Sequence, residues 1–451
     1  MSKAAPAPSV AARAALLVLT AAAFAPGLRA GFVYDDLRDV AENPAAQAGT
    51  FLDRLPATVR PLLKASYALQ DATTGLSPLA LHAVNLALHL GAVLLVLALL
   101  CRAATLAGCG AEAAGRIGWI AALLWAVHPA LADTVTYVSG RSAGLSTVLL
   151  LGCLLAATAE RPRWVAAFLL SLAAPLARET ALVAPLLLLA WQVCLGPDDT
   201  PARALRRALP VWLGALTAAL VIAAMARHRD LVAFSLDQRG PLDALRANVF
   251  AIPEILRLWV APWRISILPS QPTVYGWTDA PTLWRLLPLV ALPVLALGLR
   301  RQAPVAAFAV LWTLLALAPT NSFIWRVDPV AVRPLYLAGI GLALLAALAL
   351  ARLPFGQWLA LALALGLAPL TWQRAVLFRD GVSLFADAAA KAPNDARARM
   401  MHGLALANAG RVDEARAALG AALTLDPFLT EAANALRLLD ATDPIYEKPA
   451  P

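Results

Sequence analysis

The chain alternates long apolar runs with short polar breaks, the pattern of a chain written for a bilayer. The first run extends from Ala11 to Ala25 and is followed by Gly31-Phe32-Val33-Tyr34-Asp35-Asp36-Leu37-Arg38-Asp39, so adjacent carboxylates emerge where the opening helix leaves hydrocarbon. Between Thr50 and Ser77 the pattern is mixed, with Phe51, Leu52 and Leu55 ahead of Arg60-Pro61-Leu62, and predicts short interfacial helices. Apolar runs then follow near 79 to 101, 117 to 132, 142 to 159, 164 to 177, 179 to 196 and 208 to 226. Others cover 248 to 265, 283 to 300, 304 to 320, 335 to 352 and 355 to 373. Residues 1 to 30 also read like a signal peptide, but cleavage would leave Asp35 beside a free terminus, so an uncleaved first span is expected.

Composition agrees with the pattern: 61% of residues are hydrophobic, 14% are charged and the mean hydropathy is +0.70. Soluble domains carry about a quarter charged residues, so the expected fold is an all-α polytopic membrane bundle. The net charge of +9 does not point to nucleic acid, because the arginines cluster between apolar runs. Arg102 with Arg116, Arg161 with Arg163, Arg203 with Arg206 and Arg207, Arg300 with Arg301, and Arg352 mark a cytoplasmic side. An even number of crossings must separate Arg207 from Arg300, yet three apolar runs lie between them. The run at 248 to 265, broken by Pro253, Glu254, Arg257, Pro262 and Arg264, is the one expected not to cross. It reads as an interfacial or re-entrant helix in an outer loop from Arg227 to Pro281, leaving about 11 spans with the N-terminus inside and the C-terminus outside. Arginine outnumbers lysine 33 to 4, a bias of GC-rich bacterial genomes that favours a bacterial inner membrane. Cys101, Cys109, Cys153 and Cys194 show neither a disulfide framework nor metal-ligand spacing.

After Trp372 the pattern changes. Phe385 to Leu419, Ala388 to Ala422 and Pro393 to Pro427 are each 34 residues apart, the period of tetratricopeptide helical pairs. The chain thus divides into a membrane domain, 1–375, and a short helical domain, 376–451, expected on the periplasmic side. One complete unit with partial neighbours cannot bury its own face, so it should dock on the membrane domain or on a partner.

This topology collects polar residues on the outer face: Asp35, Asp36, Arg38, Asp39 and Arg60; the stripe His82, Asn85 and His89; His128 and Asp133; Ser139 and Arg141. Arg178-Glu179-Thr180 and the set Asn321, Arg326, Asp328, Arg333 and Tyr336 complete it. Each has a structural alternative. The stripe can serve interhelical hydrogen bonding, His128-Pro129 can simply end a helix, Arg178-Glu179 can be a self-compensating pair, and Arg333 can snorkel. Taken together, carboxylates and arginines converging on one face suit a base acting near a bound phosphate.

The order Phe-Val-Tyr-Asp-Asp, Arg-Pro-Leu, His-x-x-Asn-x-x-x-His, His-Pro-x-x-x-Asp, Gly-Arg, Arg-Glu-Thr and Arg-x-x-Tyr, with the helical tail, resembles the C-fold (GT-C) glycosyltransferases. Among them it is similar to the transmembrane tetratricopeptide-repeat O-mannosyltransferases and, more distantly, the protein O-mannosyltransferases. The resemblance implies inverting transfer of a sugar from a polyprenyl-phosphate donor to a protein, glycan or lipid hydroxyl outside the cytoplasm. It implies Asp35 as catalytic base with Asp36 and Asp133 organising the site, and Arg141, Arg178, Arg333 and Tyr336 near the donor phosphate. Arg60, His82, His128 and Glu179 would support them. No cofactor is demanded; a divalent metal shared by Asp35 and Asp133 is compatible with the family, which has metal-using and metal-free branches. The chain departs from the family at Val332, where an acid is usual, and in its short tail. A transporter using the same cavity, or a scaffold with a partner-binding tail, are the competing readings. Deletion of residues 380 to 451 is expected to leave an enzyme some turnover and a scaffold none.

Overall fold

The structure, a computed structural model, describes residues 9–196 and 201–440. Among them 78% are helical and none lies in a strand. Six helices are long and apolar enough to cross a membrane: Val10–Arg29, Pro78–Leu106, Val138–Ala157, Ala202–Ala224, Ala280–Leu299 and Gly356–Leu377. Ala111–Ala126 and Pro129–Val135 together form a further candidate, bent by 60°. Four shorter apolar helices, Trp164–Ala177, Glu179–Leu195, Pro304–Leu317 and Leu335–Leu350, complete the apolar set. The chain is a multi-pass membrane protein by these features.

Local sequence explains the helix ends. Ser9 and Ser77 each accept a backbone amide three residues on, capping Val10–Phe24 and Pro78–Leu106. At the 60° bend His128 is extended and its Nδ1 accepts the Ala130 amide, while Pro129 has none to offer. The interior closes on small residues. A Cβ on Gly118 would lie 2.4 Å from the Cys101 sulfur, so glycine there lets Ala111–Ala126 approach Pro78–Leu106 directly.

The loops sort by charge. Arg102, Glu160 and Arg207 line one cavity with Trp164 and Gly196, and Arg300 lies near Cys194, so the basic clusters gather at one end of the bundle. The run expected at 248 to 265 is part of a longer helix, Pro241–Val260, which contains Pro253 and is not among the candidate spans. The expected outer loop before it holds another helix, Ala226–Gln238, with Leu231, Val232, Phe234 and Leu236 exposed. Its polar first turn masked the helical pattern in the sequence.

The tail forms antiparallel helices Gly381–Lys391, Ala396–Asn408, Val412–Leu425 and Thr430–Asp440. The residue pairs 34 apart, Phe385 with Leu419 and Ala388 with Ala422, are all buried. Gly403 is needed at the helix crossing, since a Cβ there would come within 2.7 Å of Leu419. Asp413 and Glu414 open their helix where its dipole favours negative charge.

This helical unit packs on the membrane bundle. Phe385, Ala388, Ala392 and Ala398 enclose Leu268, and the Lys391 ammonium donates to the Ile265 carbonyl at 2.7 Å. Gly31 donates its amide to the Arg379 carbonyl. Removing residues 380 to 451 would therefore strip the loop around Asp35 as well as a tail, so that deletion does not separate an enzyme from a scaffold as the sequence suggested.

Beneath the junction, Arg374 is 4% exposed and donates from Nε and Nη2 to one oxygen of Asp133, and from Nη1 to Asp387. Arg374→Met should destabilise the protein by about 3–5 kcal/mol, because Asp133 is left as a buried, unpaired charge. Adding Asp133→Leu should recover much of that loss, since Lys391 still pairs with Asp387 at 2.9 Å. Thermal melting in detergent compares the two.

Candidate functional site

The first acidic loop is held from several sides. Asp36 is fully buried; one oxygen accepts the Ser139 amide and hydroxyl, both at 2.8 Å, and the other accepts the Val33 amide. Burial pushes its carboxyl up to about 6, against the opposing pull of those hydrogen bonds. Asp36 is thus a latch. Its neighbour Asp35 donates its amide to the Tyr137 hydroxyl at 3.0 Å and turns its carboxylate to the cavity, 27% exposed. Burial and Asp39 raise the Asp35 pKa, while Arg38 and Arg333 pull it down. Arg38 meets Asp35 at 3.0 Å but is 76% exposed, so this ion pair is weak and displaceable. Tyr34, just before the acid, has φ +55°, a left-handed conformation that costs a bulky residue on the order of 1–3 kcal/mol.

Asp35 opens onto a cavity of about 570 Å³ whose wall also carries Arg38, Arg60, Lys64, Ser139, Arg227 and Arg333. Lys64 donates to the Asp39 carbonyl, and burial lowers its pKa to about 8. Arg60 precedes Pro61 in a left-handed conformation and grips both oxygens of Glu179 through Nε at 3.0 Å. His228 Nε2 lies 3.0 Å from the same carboxylate. Arg60, His228 and Arg178 thus surround the Glu179 carboxylate.

Behind Arg60 the positive charge goes unanswered. Arg178 donates only to the Ser142 hydroxyl, at 3.0 Å, and its pKa is driven well down by burial, then by Arg60 and Arg333. Arg326 is lowered by burial and by Arg333 as well. The Arg333 guanidinium lies 4.6 Å from the centre of the Tyr137 ring. Among the described residues, none of Arg178, Arg326 and Arg333 forms a salt bridge. Mutually repelling, part-buried guanidiniums are the setting in which an anion binds. Arg333 also stands at the mouth of a second, narrow slot of about 20 Å³ running between Leu150, Ala316 and Leu337, with Arg178 beside it.

The structure brings together Asp35, Arg60, Glu179, Arg178 and Arg333 from the expected set. Others lie elsewhere. Arg141 is 1% exposed, bonded to Asn85, Gln70 and the Leu81 carbonyl, and stacked 4.3 Å from the Tyr67 ring centre. It clamps helices rather than facing the cavity. Tyr336 borders the slot beside Arg178 and Arg333 but gives its hydroxyl to His89 Nδ1, because Nε2 of that ring donates to the Ala126 carbonyl. The stripe of His82, Asn85 and His89 is buried throughout, and His128 stacks on Trp259 at 3.7 Å. Asp133 is taken by Arg374, so a metal shared with Asp35 would have to displace that arginine. Among the described residues no group of three or more His, Cys, Asp or Glu is placed to hold a metal ion.

Several participants escaped the sequence reading. Lys64 carried one signal, being one of four lysines on an otherwise apolar face, but Tyr137 and His228 carried none.

Over 140 residues the chain is 31% identical to the protein O-mannosyl-transferase TMTC1 of Mus musculus, a match spanning 28% of this chain and 14% of that relative. No family model and no solved structure matches it. A multi-pass helical chain with a carboxylate facing clustered guanidiniums thus carries a partial likeness to a protein O-mannosyl-transferase.

Proposed function

We propose that the protein is an integral-membrane glycosyltransferase that moves a sugar from a polyprenyl-phosphate donor to an acceptor hydroxyl. The observation that carries this reading is one cavity holding a weakly paired carboxylate, Asp35, together with Arg333, which has no carboxylate of its own and stands with Arg178 in the wall of the adjoining slot. Asp35 takes the acceptor's hydroxyl proton as that oxygen attacks the anomeric carbon. The bond from that carbon to the phosphate oxygen breaks, and the electron pair leaves with the phosphate. Arg178, Arg326 and Arg333 answer the charge that develops there. Asp36, locked to Ser139, keeps its neighbour aimed.

The partial likeness to an O-mannosyl-transferase supports sugar transfer and, by extension, a protein Ser or Thr acceptor. The arginine-rich, lysine-poor basic clusters at the opposite end support a bacterial inner membrane with the site and the tail facing the periplasm. The tail, taken as a tetratricopeptide domain over 376–451 beside a membrane domain over 1–375, would offer a peptide surface next to the cavity. The direct test incubates the purified protein with radiolabelled polyprenyl-phosphate mannose, glucose or arabinose in membranes of its host and identifies the labelled product. A transporter would move label without forming a glycosidic bond.

Asp35→Asn should fold normally and lose roughly 10² to 10⁴-fold in transfer rate, the contribution of a placed base, at unchanged donor affinity. Full activity in that variant would remove Asp35 from the reaction. Arg333→Ala should instead weaken donor binding as well as turnover, read as a rise in donor KM.

Because a base must be ionised, and burial raises Asp35 above its ordinary value of 3.8, transfer should increase with pH through an acid limb lying above that value. Arg38→Ala removes a charge that lowers the Asp35 pKa and should move the limb to higher pH. Asp39→Asn removes one that raises it and should move the limb to lower pH. A profile of kcat/KM against pH for the three proteins checks both directions.

A further inference from the structure

Asp35 is anchored unequally on its two sides. On the C-terminal side Asp36 is locked to Ser139 within the membrane bundle. On the N-terminal side the anchor belongs to the helical tail. The Tyr34 ring meets Phe385 edge-on, with centroids 5.6 Å apart and planes at 81°. The Arg397 guanidinium lies beside its hydroxyl. Arg397 also forms a 2.6 Å ion pair with Asp328, which lies between Arg326 and Arg333 in sequence. One side chain of the tail therefore touches both halves of the site, the loop with the carboxylate and the loop with the guanidiniums.

Tyr34 needs such a restraint. A tyrosine leaves the left-handed region unless its surroundings hold it there, and its relaxation would rotate the peptide joining it to Asp35. Arg397 and Asp328 are each about one-third exposed, and a surface ion pair of that kind adds little to stability. The pair is better suited to fixing a distance than to holding the fold.

We propose that Arg397, with Phe385, is a positioning residue that sets the separation between Asp35 and the arginine cluster, so that the tail completes the site. This rests on Asp35 acting as the base and deepens that reading. It assigns the tail a role in turnover besides any role in recruiting an acceptor. A misplacement of about 1 Å at a reacting pair can cost about 10²-fold.

The test uses the full chain. Arg397→Ala should lower kcat by about 10- to 100-fold with donor KM changed less than about twofold, and Arg397→Lys, which keeps a cation for Asp328, should recover part of the loss. Arg416→Ala, whose partner Asp440 lies in the last helix, should leave transfer unchanged. An arm independent of activity places Asp35→Cys in a Cys109→Ser background and follows labelling by a methanethiosulfonate reagent. Adding Arg397→Ala or Phe385→Ala should change the labelling rate of that thiol severalfold, while Arg416→Ala should not. Unchanged kcat in Arg397→Ala, or unchanged thiol labelling in both tail variants, Arg397→Ala and Phe385→Ala, overturns the proposal. If the parent protein transfers no sugar, the glycosyltransferase reading fails on that result, and the labelling arm alone still decides whether the tail holds the loop.

Discussion

A guanidinium taken out of water has to be answered by a carboxylate, by hydrogen-bond acceptors or by a ligand, and this requirement orders one end of the bundle. Arg374 is answered by Asp133 and Asp387, Arg60 by Glu179, Arg397 by Asp328, and Arg141 by Asn85, Gln70 and a backbone carbonyl. Each of these side chains ties two distant segments together. Arg178, Arg326 and Arg333 are the exceptions, and Arg333 lines both the cavity and the slot, with Arg178 in the slot wall. Satisfied arginines therefore build the frame, and unsatisfied ones mark the place for an anion.

The same logic separates the two adjacent acids. Asp36 spends both oxygens on local donors and has no exposure left with which to meet a substrate. Asp35 gives its amide to the Tyr137 hydroxyl, and its carboxylate, close to that same hydroxyl, is paired with a solvent-exposed arginine that a ligand can displace. Two identical side chains, one residue apart, acquire different surroundings, one locked to local donors and one facing the cavity, because the backbone turns between them. The left-handed Tyr34 and the edge of Phe385 are part of that turn. The tail is in this sense continuous with the site, and its small size fits a role in holding as much as in display.

Much of the helical plan was legible from periodicity and charge. The apolar stretches, the break at His128-Pro129, the interrupted apolar run around Pro253 and the 34-residue phase of the tail all follow from local chemistry. Proline removes an amide, a bilayer sets a length, and a helix crossing demands a small residue such as Gly403. The convergence of Asp35 with Arg60, Arg178 and Arg333 was also implied, because topology alone puts their loops on one side.

Which members of that outer set face the cavity could not be read along the chain. Arg141 and Arg333 look alike in sequence, each close to a span end, yet one is buried among the amides of Asn85 and Gln70 and the other opens on the cavity. Asp133 has the spacing of a site residue, but Arg374, 241 positions away, takes its charge. Rotation of a helix about its axis by half a turn exchanges such fates, and that rotation is set by side chains on other helices. Sequence by itself determined where most of the helices lie and which polar residues stand at their ends. Only the tertiary structure decided which charges neutralise one another and which are left for a ligand, because pairing depends on distances across the bundle that no local pattern encodes.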